Sequence, residues 1–134
     1  MTSEEILSKK IIKQFWVTME TNDFQAAAQL LHDEYILEWP QSGERIRGRA
    51  NFAAVNERYP AAGKWHFTVR RVIAEGDEAV TEVIVTDGSI TATALTFSTI
   101  RDGRIIKQVE YWPDPFEAQE WRAQWVEKGN RSSK

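Results

Sequence analysis

The chain has 134 residues and a mass of 15.5 kDa, the size of one domain, and its 42% hydrophobic and 28% charged residues give it a globular composition. A formal charge of -3 argues against nucleic acid as a partner, because phosphate binding needs a net basic face. The absence of cysteine excludes disulfides, thiolate nucleophiles and cysteine-ligated metal centres, and six tryptophans ask for a core, an interface or a ligand pocket with large aromatic surface.

The N-terminal stretch mixes charged and apolar residues, without the apolar core of a signal peptide. No apolar run approaches the roughly 20 residues that a membrane-spanning helix needs. The expectation is a cytoplasmic protein with no membrane partner. Thr2 and Glu5 have the spacing of a capping box, and Leu7, Ile11, Ile12, Phe15, Trp16 and Met19 recur every three or four residues, so a first helix is predicted over 3–20. Asn22-Asp23 reads as a stop and a restart, followed by a short helix on Phe24, Ala27, Ala28 and Leu31. Residues 34–39 read as a strand ended by Pro40, and the loop that follows holds Arg45, Arg47 and Arg49. A third helix, carried by Phe52, Val55 and Tyr59, runs from Gly48 to Pro60.

From Trp65 the period changes to that of strands. Gly76-Asp77, Asp87-Gly88 and Asp102-Gly103 punctuate four strands near 65–74, 78–86, 90–100 and 104–112, an antiparallel meander. Asp114, Pro115 and Glu117 then stand at the N-cap, first and third positions of a predicted final helix, with Trp121 and Trp125 as its apolar stripe. The residues from Lys128 onward read as a frayed polar tail. The whole, 1–134 with an ordered core of about 3–127, reads as one α+β domain with helices set against an antiparallel sheet.

This order resembles the nuclear transport factor 2-like superfamily, and within it the SnoaL-like group. The residues that carry the resemblance are FWVTMETNDFQAAAQLLHDEYILEWPQSG, GRANFAAVNERYP and TFSTIRDGRIIKQVEYWPDP, and it covers about 10–127. It implies a cone-shaped roll in which a curved mixed or antiparallel sheet wraps the N-terminal helices around a cavity, with a homodimer formed through the outer sheet face. Ile105, Val109 and Tyr111 beside Ala92 and Ala94 would form that face. The group includes isomerases, cyclases, dehydratases, epoxide hydrolases and binding modules, so the fold alone does not give the function.

The catalytic positions of ketosteroid isomerases fall on unsuited residues. The base position falls on Trp39, the oxyanion-hole tyrosine on Phe15 and the protonated aspartate on Leu95. An Asp–Arg–Asp arrangement like that of limonene epoxide hydrolases is missing. Ketosteroid isomerisation is therefore not expected.

The last strand offers another carboxylate. It has Ile105, Lys107, Val109 and Tyr111 on one face and Ile106, Gln108, Glu110 and Trp112 on the other, and the resemblance places the second face in the cavity. Glu110 would then be a buried acid–base group, with its pKa raised by desolvation, and Gln108 would orient a ligand. The structural alternative pairs Glu110 with an arginine such as Arg47 or Arg70. Glu82 is a second candidate carboxylate if its register turns it inward. Phe15, Trp39, Leu95, Phe97 and Trp112 are the expected apolar lining, suited to a flat apolar or aromatic molecule. Trp16, Trp121 and Trp125 read as core. With only His32 and His66, far apart, no metal site is expected, and no nucleotide-binding motif calls for a cofactor. Two functions follow: a cofactor-free pocket protein with acid–base capacity, or a non-enzymatic ligand-sensing or dimeric association module of the same fold, of which the association module can fill its cone with its own tryptophans.

Overall fold

Thr2 and Glu5 close the predicted capping box, each side chain bonding the other's backbone N–H, and this starts helix α1 (Ser3–Glu20). Asn22 takes the left-handed conformation at φ 63° that ends the helix, and Asp23 caps the short α2 (Phe24–Ala28). The computed structural model describes residues 1–129. The remaining strands and helix are β1 (Leu31–Trp39), β2 (Glu44–Arg47), α3 (Arg49–Arg58), β3 (His66–Glu75), β4 (Glu78–Thr86), β5 (Thr91–Arg101) and β6 (Arg104–Tyr111).

The strands form one six-stranded sheet in the order β2-β1-β6-β5-β4-β3. Strands β3 to β6 are the predicted meander, with Asp102 and Gly103 supplying the positive φ angles of the last turn. β1 pairs parallel to β6, which makes the sheet mixed. The inner face is packed by α1, α2 and α3 around Ile12, Phe15, Tyr35, Phe52 and Val83, all nearly inaccessible to solvent.

The register of β6 decides what enters the cone. Thr99 pairs with Lys107 but Ile100 pairs with Ile105, so Ile106 is an extra residue that interrupts the alternation. Ile105, Gln108 and Glu110 are consequently all buried on the inner face. Ile105 therefore does not belong to the outer face where strict alternation put it.

Four further expectations need correction. Residues 44–47 are an edge strand rather than loop, and Leu31 opens β1 rather than closing α2. The final helix does not form. After Pro113 the chain is irregular, and Glu120–Trp125 makes a short 3₁₀ turn in which Trp121 and Trp125 are 72% and 71% exposed. An apolar stripe without a surface to pack against gives a short helix no tertiary stabilisation. Finally, Ala92 and Ala94 point inward, so they do not contribute to the outer face. Of the polar tail expected from Lys128, residues 130–134 lie outside the described residues.

Candidate functional site

Neighbouring strands bring polar side chains together at the floor of the cone. Leu37 of β1 is opposite Gln108 of β6, which is opposite Ser98 of β5. One step further along, Glu110 is opposite Thr96, which is opposite Thr81. Every one of these side chains is buried. Buried polar groups require partners, and the sheet supplies them. The Tyr35 hydroxyl donates to Gln108 Oε1 at 2.5 Å, and Gln108 Nε2 donates to Ser98 Oγ at 3.1 Å. Tyr35 is fully buried, and desolvation, with the Glu110 charge nearby, pushes its phenol well above the ordinary range.

Glu110 stands next to this chain of bonds. Its Oε1 accepts the Trp39 indole N–H at 3.0 Å and its Oε2 accepts the Thr96 hydroxyl at 2.6 Å. Burial raises its pKa above the ordinary glutamate value, and hydrogen bonds from Thr96, Trp39 and Trp112 offset only part of that rise. Among the described residues the groups that act on it are neutral, and no arginine is one of them.

Above this floor the cone is open. A cavity of about 770 Å³ is lined by Phe15, Trp39, Phe52, Tyr59, Trp65 and Trp112, with Gln108 and Glu110 at its polar end. That volume lies within the usual range for small-molecule sites. The tryptophans thus line the cone without filling it.

Of the predicted lining, Phe15, Trp39, Gln108, Glu110 and Trp112 come together. Leu95 and Phe97 do not: on β5 the inward residues are Ala94, Thr96 and Ser98, and Phe97 is 48% exposed on the outer face, edge-on to Tyr111. Glu82 is also on the outer side. Its Oε1 accepts Arg71 Nε at 2.8 Å, and that bond holds its carboxyl below the ordinary value. Thr96 therefore takes the inward place that the resemblance gave to Leu95. Glu110 on β6 bonds Trp39 of β1 and Thr96 of β5, the strands on either side of it.

Sequence reasoning missed the wall formed by α3. Phe52, Val55, Asn56 and Tyr59 face the cavity, and their spacing of three, four and seven residues is the signal that could have found them. It also missed how Trp65 is fixed. The left-handed Asn22 donates Nδ2 to the Trp65 carbonyl at 2.8 Å and accepts the Trp65 N–H at 2.9 Å. Asp114, expected to cap a helix, sits at the cavity rim, near Gln41, which bonds the Trp112 backbone at both ends of its amide. The arginines are dispersed: Arg45 pairs with Glu38 at 3.4 Å and Arg49 with Asp33 at 2.9 Å. His66 meets Glu20 at 2.9 Å, outside the cavity. Among the described residues no cluster of three or more His, Cys, Asp or Glu could hold a metal ion, and no helix is long and apolar enough to cross a membrane.

A sequence profile of the SnoaL-like domain matches residues 12–108. The chain is similar to the crystal structure of a candidate ketosteroid isomerase from Kribbella flavida DSM 17836, with 28% identity, a TM-score of 0.87, and coverage of 95% of this chain and 93% of that one. It is also similar to a nuclear transport factor 2-like protein of unknown function from Burkholderia xenovorans LB400, with 33% identity, a TM-score of 0.78, and coverage of 96% and 100%. An epoxide hydrolase from M. tuberculosis, of the limonene epoxide hydrolase-like kind, shares the fold at 21% identity and a TM-score of 0.68, over 82% of this chain and 85% of that one. A search of curated proteins finds no significant match.

Proposed function

This chain belongs to the SnoaL-like domain family, and we propose that it binds a small, largely apolar molecule in its cone and that Glu110 acts there as a cofactor-free acid–base group. One observation carries the reading. A single buried carboxylate, with its pKa raised by desolvation, lies at the floor of an open aromatic cavity. A general base is most effective when its pKa approaches the working pH and its proton acceptor reaches the ligand. Both oxygens of Glu110 are positioned by neutral donors, Trp39 on Oε1 and Thr96 on Oε2, and a carboxylate has about four acceptor sites, so capacity remains for a substrate proton.

The similarity to the Kribbella protein, a candidate ketosteroid isomerase, suggests isomerisation. The residues here favour a different route to similar proton chemistry, because the base position on β1 is Trp39 and the carboxylate comes from β6. A second reading, ligand binding without turnover, is favoured by one feature. Gln108 is tied at both ends of its amide and Asn56 Nδ2 donates to the Phe52 carbonyl, which commits donors that an oxyanion would otherwise use. Homodimerisation through the outer sheet face belongs to either reading.

A generic proton-abstraction probe separates the two. In 5-nitrobenzisoxazole, removal of the C3 proton by a carboxylate opens the ring by breaking the N–O bond, and the product is a coloured phenolate. The expected result is saturable turnover above the buffer rate, reduced by about 10²-fold or more in Glu110→Gln. Equal rates for the two proteins would remove Glu110 as the base.

A further inference from the structure

The charges around the cone say what kind of ligand it accepts. Glu110 is only 8% exposed, and its hydrogen bonds come from the neutral side chains of Trp39, Thr96 and Trp112. An indole N–H can only donate, so Oε1 is fixed as an acceptor, and the Thr96 hydroxyl donates to Oε2. Buried carboxylates in folded proteins are ordinarily matched by a cation. Among the described residues none of the groups acting on Glu110 is one.

The rest of the lining supplies no counter-charge at this end. Arg45 is the one basic side chain among the described lining residues, and it is engaged by Glu38. Glu44 and Asp114 add further acidic groups to the lining. Between rim and floor the surface is aromatic, with Trp39, Trp65, Trp112 and Tyr59 prominent. The faces of such rings carry negative potential and attract cations. An anionic ligand would meet Glu110 and those ring faces with the same sign. A neutral apolar ligand would desolvate Glu110 further and offer no partner to its charged form.

We propose that the cone takes an organic ammonium ion, an amine or quaternary ammonium compound with apolar or aromatic substituents, whose positive nitrogen lies against Glu110 among the tryptophan rings. This rests on the reading of the cavity as a ligand site but not on turnover. The apolar substituents fill the space between α1, α3 and the sheet, and the ammonium group supplies the charge that Glu110 lacks.

Binding of three probes of similar shape tests it, read by quenching of tryptophan fluorescence and by calorimetry. They are benzyltrimethylammonium, its uncharged carbon isostere neopentylbenzene, and phenylacetate. The expected order is ammonium over neutral by at least tenfold, with phenylacetate weakest. In Glu110→Gln the ammonium preference should fall to within a few-fold of unity while the neutral probe binds as before. A co-crystal of the unaltered protein with benzyltrimethylammonium keeps the test independent of how that variant folds, and it should place the nitrogen beside Glu110. Equal or tighter binding of the neutral probe, or a nitrogen bound away from Glu110, would overturn the cation assignment and leave the cavity reading standing. Failure of all three probes to bind would overturn both.

Discussion

Tyr35 and Gln108 illustrate the cost of polar groups inside the cone. The phenol is fully buried and its bond to Gln108 Oε1 is matched by the bond from Gln108 Nε2 to Ser98. Tyr35→Phe keeps the ring, and its edge-on contact with Phe52, but leaves Gln108 Oε1 without a partner. The expected loss is about 1–3 kcal/mol in denaturant unfolding, and an unchanged midpoint would show that the bond contributes nothing. Glu110 works in the opposite direction with pH. Its folded-state pKa is above that of the unfolded chain, so the folded state holds the proton more tightly. Its contribution to stability is greatest below the ordinary glutamate range and is lost as pH rises through the raised midpoint. That loss is the stability given up to keep a carboxylate in a desolvated pocket.

At the scale of elements, the C-terminal segment is where local signals and tertiary structure part. Asp114, Pro115 and Glu117 have the chemistry of a helix start, yet no helix forms there, and Trp121 and Trp125 are largely exposed. Trp121→Ala and Trp125→Ala should each change stability by no more than about 0.5 kcal/mol, as exposed positions do. A loss of about 3–5 kcal/mol, the cost of truncating a core tryptophan, would mean that the segment packs on the body. The first and third helices and the four strands of the meander were legible, because capping residues, periodicity and Asp-Gly turns act locally, whereas the edge strand β2 and the start of β1 were not. Residues whose place depends on register were not. Ile105 required knowledge of the extra residue Ile106, and Leu95, Phe97 and Glu82 required the inward phase of β5 and β4. Gln108 and Glu110 were legible only through the family resemblance, since both faces of β6 are mixed in character. The α3 wall was written in its helical spacing, but nothing in the sequence says which body that face meets.

For the molecule as a whole, the sheet divides two environments. Its concave side holds the cone, and its outer side carries an apolar row in which Ile73, Val80, Phe97 and Val109 are successive cross-strand partners. Ile73 is 56% and Phe97 48% exposed. Exposed apolar surface of this kind marks association sites, in keeping with the proposal that two copies meet here. Val109→Asp should convert a dimer to a monomer in light scattering, with the cavity and its fluorescence response intact. An unchanged mass for the variant would remove this face as the interface.

The most direct test of the account is the titration of Glu110 itself, followed by the side-chain carboxyl ¹³C shift in protein labelled at glutamate and assigned with Glu110→Gln. The account predicts a midpoint above the ordinary glutamate value of 4.5, moving downward when benzyltrimethylammonium fills the cone. A midpoint at or below 4.5 in the free protein would contradict it, because the carboxylate would then be held as a settled anion, without the desolvation on which both its proton chemistry and its demand for a cation depend.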